Sequence, residues 1–234
     1  MVSALTGPRI APKSGTAKQL VVFLHGYGAD GNDLIELGRQ WQAWLPDAAF
    51  VSPHAPERCV QSPSGRQWFP LTQRDPHERW KGAVAARPAI DAFLDAELAA
   101  AGLDDSRLGL VGFSQGTMMA LHVGLRRQRA PAAIVGFSGV LVGPENLPEA
   151  TARNSKGEPP PILLTHGEAD DVIPVDALFT SAELLGKANI PCQWHLSRGL
   201  GHGIDGEALI QGGQFLAKGF GLPTPKRPPQ RGRR

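Results

Sequence analysis

The pentapeptide Gly112-Phe113-Ser114-Gln115-Gly116 follows the apolar run 107–112 and opens a helical pattern over 115–129. A serine at the tip of a tight strand-to-helix turn holds its hydroxyl out of the backbone, and flanking glycines remove side chains that would collide there. The helix start behind it supplies N–H groups and a partial positive charge where an oxyanion would form. Such a serine would attack an acyl carbon. A serine hydroxyl is a weak nucleophile, so the chemistry also requires a base, and an acid that fixes the tautomer of that base.

The chain offers both partners downstream. Residues 161–166 read as a strand running into His166-Gly167-Glu168-Ala169-Asp170-Asp171, which presents two adjacent aspartates as candidate acids. After the final strand pattern, 192–197, comes Arg198-Gly199-Leu200-Gly201-His202-Gly203. Of the seven histidines, His202 combines a downstream loop position with small neighbours that admit a substrate. His195 lies within a strand, His122 within the helix after Ser114, and His54 and His77 precede the serine. His25 and His166 each form a His-Gly pair at a strand end, where backbone hydrogen bonding is the expected role. The oxyanion donors are assigned to the backbone N–H groups of Gln115 and of Tyr27, with Gly26 next, because glycines on both sides of Tyr27 allow the angles that turn an amide inward.

These residues need a scaffold, and the periodicity predicts one. Residues 19–25 (QLVVFLH) form a short apolar run typical of a strand covered on both faces. A helix follows from Asp33, capped by Asp30 or Asn32, with Leu34, Leu37, Trp41, Trp44 and Leu45 on its apolar stripe and Pro46 as its stop. Strands over 48–52, 107–112, 132–137, 161–166 and 192–197 alternate with helices over 115–129, 175–188 and 205–218, and another helix begins at Pro88 and closes at Gly102. This alternation predicts an α/β fold with a mostly parallel central sheet and helices on both faces, binding its ligand beyond the carboxyl ends of the strands. Between 53 and 81 lies a long irregular loop rich in Pro, Gly and Ser that also carries Trp68, Phe69, Leu71 and Trp80. Trp68, Phe69 and Leu71 are candidates to line the acyl site, or to form a small satellite core under the loop.

The length of 234 residues suits one domain, assigned here to 19–222 between an N-terminal extension, 1–18, and a tail, 223–234. That tail combines Lys226, Arg227, Arg231, Arg233 and Arg234 with four prolines and is expected to be disordered. Without those five cations the body is slightly acidic, which argues against a nucleic-acid-binding face. The first 18 residues hold no apolar stretch of signal-peptide length, so a cytoplasmic protein is expected. Cys59 and Cys192 make neither a disulfide framework nor a metal motif, and both read as small apolar residues. No metal and no organic cofactor is expected.

Taken together the motifs resemble the phospholipase/carboxylesterase group of α/β-hydrolases, which includes acyl-protein thioesterases. The resemblance rests on Phe23-Leu24-His25-Gly26-Tyr27-Gly28, Ser52-Pro53-His54-Ala55-Pro56, Trp68-Phe69, the elbow at Ser114, His166-Gly167 with Asp170 and Val172-Ile173-Pro174, and Gly201-His202, and covers about residues 19–220. It implies an α/β-hydrolase fold, Ser114, Asp170 and His202 as catalytic triad, and Tyr27 and Gln115 as oxyanion donors. It also selects Asp170 over Asp171. The implied substrate is a small acyl ester or thioester, or an acylated lipid or protein. Pro70 and an insert around 147–160 depart from the family pattern. Competing readings are a non-catalytic binding protein on the same fold and a lactone or peptide hydrolase. An apolar loop beside the site would also allow two subunits to pair as a homodimer.

Overall fold

The computed structural model describes residues 5–73 and 75–223, so the basic tail, beyond Pro223, lies outside the described residues. Seven strands form one sheet: β1 (Arg9–Ile10), β2 (Gln19–Leu24), β3 (Ala48–Val51), β6 (Leu108–Phe113), β7 (Ala133–Phe137), β8 (Ile162–Gly167) and β9 (Cys192–Ser197). Their spatial order is β1-β3-β2-β6-β7-β8-β9. All neighbours are parallel except β1, which pairs antiparallel with β3 through Arg9↔Val51 and Ile10↔Phe50. The segment before residue 19 thus contributes an edge strand. Two residues were too short a run to read as a strand.

Strand alternation divides the apolar residues between two cores, as a doubly covered sheet requires. Leu20, Val22 and Leu24 of β2 face one core, while Val21 and Phe23 face the other. The first core is completed by α2 (Pro76–Ala101) and α3 (Gln115–Gly124), the second by α1 (Gly31–Trp41) and α5 (Gly206–Gly219), and α4 (Asp176–Lys187) packs on the first side. Trp41 is fully buried, and its indole N–H donates to the Leu209 carbonyl at 3.0 Å, joining α1 to α5. Among the described residues no helix is long and apolar enough to cross a membrane.

Three helices and one loop differ from the sequence reading. The helix expected to begin at Pro88 begins at Pro76, where Asp75 caps it by accepting the Glu78 N–H at 2.8 Å, and Pro88 lies inside it. Proline removes the bond to the carbonyl four residues earlier, but that residue, Val84, is on the exposed side where water can replace the donor. Buried Ala83 and Ala86 before the proline, and Ile90, Phe93, Leu94 and Leu98 after it, hold the helix on the core. Helix α1 stops at Trp41 rather than before Pro46, and α3 at Gly124 rather than Arg129. The loop expected over 53–81 contains a two-stranded hairpin, β4 (Glu57–Arg58) with β5 (Arg66–Gln67).

The chain leaves β2 toward β3 on one side, and proceeds from β6 to β9 on the other. That reversal lies between neighbouring β2 and β6, and it opens a crevice beyond their carboxyl ends. Tyr27 follows β2 and Ser114 follows β6, so the topology brings both to this crevice.

Candidate active site

Ser114 has φ 53° and ψ −115°, a conformation that costs a non-glycine residue roughly 1–3 kcal/mol and survives only where its surroundings impose it. They do so here through backbone contacts. The Ser114 N–H donates to the Phe137 carbonyl at 2.9 Å, and the Thr117 hydroxyl lies 2.8 Å from both the Gly112 and Phe137 carbonyls, donating to one at a time. A Cβ on Gly116 would sit 1.7 Å from the Leu24 carbonyl oxygen, and one on Gly112 would sit 2.3 Å from the Gly116 carbonyl oxygen. Only glycine tolerates such contacts, which explains both glycines of the elbow. Although Ser114 occupies the N-cap position of α3, its side chain makes no capping hydrogen bond. Its hydroxyl is therefore not spent on the helix, as an ordinary capping serine's would be.

Asp170 and His202 stand on neighbouring loops after β8 and β9. Those loops are laced together: the Glu168 N–H donates to the Ser197 carbonyl and the Ala169 N–H to the Leu200 carbonyl, each at 2.9 Å, while Glu168 accepts the Gly199 N–H at 3.0 Å. A Cβ on Gly167 would lie 2.2 Å from the Gly201 carbonyl oxygen, so the loops meet backbone to backbone. His202 Nδ1 lies 2.7 Å from Asp170 Oδ2, and Asp170 Oδ1 accepts the N–H groups of Val172 and Ile173 at 2.9 Å each. Burial pushes the Asp170 carboxyl up, but the bonds from Ile173, His202 and Val172 outweigh it and hold the carboxyl below the usual carboxylate range. With the acceptor at its Nδ1 side, His202 carries hydrogen on Nδ1 and presents Nε2 as a base. Asp171, the adjacent alternative, is exposed.

Ser114, His202, Tyr27, Gly26, Phe113 and Leu71 line one cavity of about 240 Å³ with Met118 and Ile173 at its apolar wall and Arg79 and Asp33 at its polar side. The Phe113 and His202 ring centroids are 4.9 Å apart, so the phenyl ring packs on the imidazole. A larger cavity of about 690 Å³ opens at the opposite end of the sheet, beside Ala132, Pro161 and Pro191, and no histidine or aspartate lines it. Size alone does not locate the chemistry.

Trp68 and Phe69, expected as candidates to line the acyl site, are instead buried in the first core, 1% and 2% exposed, and do not line the cavity; Leu71 does. They brace the loop that follows β2. The Trp68 indole N–H donates to the His25 carbonyl at 2.9 Å, and its ring lies 5.2 Å from the His25 ring. The Gln115 side chain joins the same brace, accepting the Trp68 N–H at 3.0 Å and donating to the Phe69 carbonyl at 2.8 Å. His25 accepts the Ala55 N–H at Nε2, so its hydrogen is on Nδ1 and bonds the Gly26 carbonyl at 2.8 Å. Burial pushes the His25 pKa down to about 4, leaving it neutral. The peptide that carries the Tyr27 amide is thus held at its own Gly26 carbonyl, and the peptide before it at the His25 carbonyl.

Trp68→Phe keeps an aromatic ring, smaller than the indole, and leaves the buried His25 carbonyl without its indole donor. It is expected to lower stability by about 1–3 kcal/mol in denaturant unfolding, and to lower kcat more than it raises KM. Ile173 belongs to the Val172-Ile173-Pro174 motif of the resemblance, whereas Met118, Arg79 and Asp33 are site residues that the sequence motifs do not point to. Met118 is accessible to reasoning from spacing, since it stands one helical turn after Ser114; Arg79 and Asp33 reach the cavity only through the packing of α2 and α1.

The family model described as phospholipase/carboxylesterase matches residues 5–219 of this chain. The solved structure of esterase PE8 is 44% identical, covers 92% of this chain and 99% of its own, and superposes with a TM-score of 0.86. Acyl-protein thioesterase 1 of Gibberella zeae is 26% identical over 230 residues, 93% of this chain and 97% of its own length. Esterase YpfH of Escherichia coli is 27% identical over 193 residues, 82% of this chain and 79% of its own.

Proposed function

Because the chain belongs to the phospholipase/carboxylesterase family, and is accordingly a serine hydrolase of carboxylic esters or thioesters, we propose that Ser114, His202 and Asp170 are its catalytic triad. The observation that carries this reading is the pairing of a strained serine, whose hydroxyl is not used as a cap, with the 2.7 Å His202–Asp170 bond at one cavity. In the proposed sequence His202 Nε2 takes the Ser114 proton while Oγ bonds to the acyl carbon. The oxyanion is held by the N–H groups of Gln115 and Tyr27. Collapse breaks the bond to the alcohol or thiol, which leaves with the proton from His202. Water, deprotonated by His202, then attacks the acyl-serine, releasing the acid and returning the proton to Oγ.

The acyl group sits against Leu71, Met118 and Ile173. A cavity of about 240 Å³ is smaller than the roughly 300–1,000 Å³ of sites that hold drug-sized ligands. This supports a short acyl group as the preferred substrate, in a cytoplasmic esterase, over the long acyl chains of lipids or acylated proteins. Turnover of p-nitrophenyl esters from acetate to palmitate, beside an acyl-thioester, tests it. The expected kcat/KM is highest for short chains and falls toward palmitate; a maximum at palmitate or at a long-chain thioester contradicts the substrate assignment. Leu71→Ala is expected to raise the octanoate-to-acetate ratio of kcat/KM by roughly tenfold, by opening the apolar wall.

A further inference from the structure

Two histidines stand at Asp170, and the triad uses one. The other, His166, lies on β8 four residues before Asp170 and is 2% exposed. Its Nε2 is 2.8 Å from the Ile173 carbonyl and 3.2 Å from Asp170 Oδ2. Both neighbours are acceptors, so Nε2 carries the hydrogen and donates to the Ile173 carbonyl, with its positive end beside Oδ2. Nδ1 is buried and has no hydrogen-bond partner among the described residues. Ile173 is therefore gripped twice: its N–H by Asp170 Oδ1 at 2.9 Å, its carbonyl by His166.

We propose that His166 is a positioning residue for the hydrolytic reaction, closing the 170–173 turn so that Asp170 keeps one oxygen on the backbone and the other on His202. The inference rests on the triad reading above. In that turn the Val172 and Ile173 N–H groups fix Oδ1 and thereby the rotation of the carboxylate. Releasing the Ile173 carbonyl lets the turn open, and the carboxylate then turns away from His202 Nδ1. Substrate binds on the other side of His202, against Leu71, Met118 and Ser114, so the loss falls on kcat. A histidine present for packing alone would be replaced without loss by any side chain of similar volume. This one is replaced only by a side chain that donates at the position of Nε2.

The test compares His166→Leu with His166→Gln on a p-nitrophenyl ester, alongside Asp170→Asn. His166→Leu is expected to lower kcat roughly tenfold to a hundredfold, the equivalent of one lost hydrogen bond near a charged group, with KM within about twofold. His166→Gln, which keeps a donor, is expected to recover most of that loss. Unchanged kcat in His166→Leu, or equal impairment in both variants, overturns the proposal. If Asp170→Asn retains full activity, the triad reading itself fails; if Asp170→Asn is inactive while His166→Leu is normal, this inference alone fails. A measurement on the unmodified protein does not depend on variants that fold: in a long-range proton–nitrogen spectrum, His166 is expected to show hydrogen on Nε2 and a bare Nδ1. Hydrogen on Nδ1 with a bare Nε2 overturns the donor assignment.

Discussion

Ser114→Ala is expected to lower kcat by roughly 10⁶-fold, to the residual rate that oxyanion donors and binding alone sustain, with little change in substrate binding. The size follows from the nature of the step. Without Oγ there is no acyl-enzyme, and His202 and Asp170 have nothing to activate, so loss of the one atom removes the work of all three. Folding should survive: the hydroxyl makes no capping bond to α3, and Ser114 is held at φ 53° by the Phe137 carbonyl and the neighbouring glycines rather than by its own side chain. Steady-state kinetics on an activated ester, beside thermal unfolding, checks both halves. Loss of activity with loss of fold would contradict this account of the elbow.

Asp170→Asn is expected to cost about 10⁴-fold in kcat, and the hydrogen-bond pattern says why an isosteric change is so damaging. Oδ1 receives two backbone N–H groups, from Val172 and Ile173. The asparagine oxygen must therefore take that place, which turns its NH₂ toward His202 Nδ1. His202 then accepts at Nδ1 and carries hydrogen on Nε2, the wrong end to receive the Ser114 proton. The wild-type carboxyl is held below the usual carboxylate range, so the stability its pairing supplies is present at neutral pH and is lost as pH falls through that lowered pKa. Asp170→Asn should accordingly flatten the acid limb of the stability profile as well as reduce kcat.

What could be read from the sequence follows the physics of each signal. Strands β2 and β6 are legible because residues such as Leu20–Leu24 are apolar on both faces, and the elbow is legible because Gly112 and Gly116 are demanded by contacts of 2.3 and 1.7 Å. The loops bearing Asp170 and His202 are legible from their place after strands. Residue spacing leaves Asp170 and Asp171 as equals, and a resemblance of motifs selects Asp170; in the structure Asp170 receives two backbone N–H groups while Asp171 is exposed. Pro88 misled because proline favours the first turn of a helix, yet the burial on either side of it outweighs one missing hydrogen bond. Trp68 and Phe69 stand among Pro, Gly and Ser, which suggests a surface loop, but the buried amide of Gln115 draws their backbone inward. The donation from Trp68 to the His25 carbonyl spans 43 residues of chain, and no local pattern encodes it.

The most direct test of the central claim is covalent labelling with a fluorophosphonate, followed by intact-mass measurement and peptide mapping. The account predicts one adduct per chain, on Ser114, absent in Ser114→Ala and formed far more slowly in His202→Ala. Labelling of another residue, or labelling of Ser114 at an undiminished rate without His202, would contradict it.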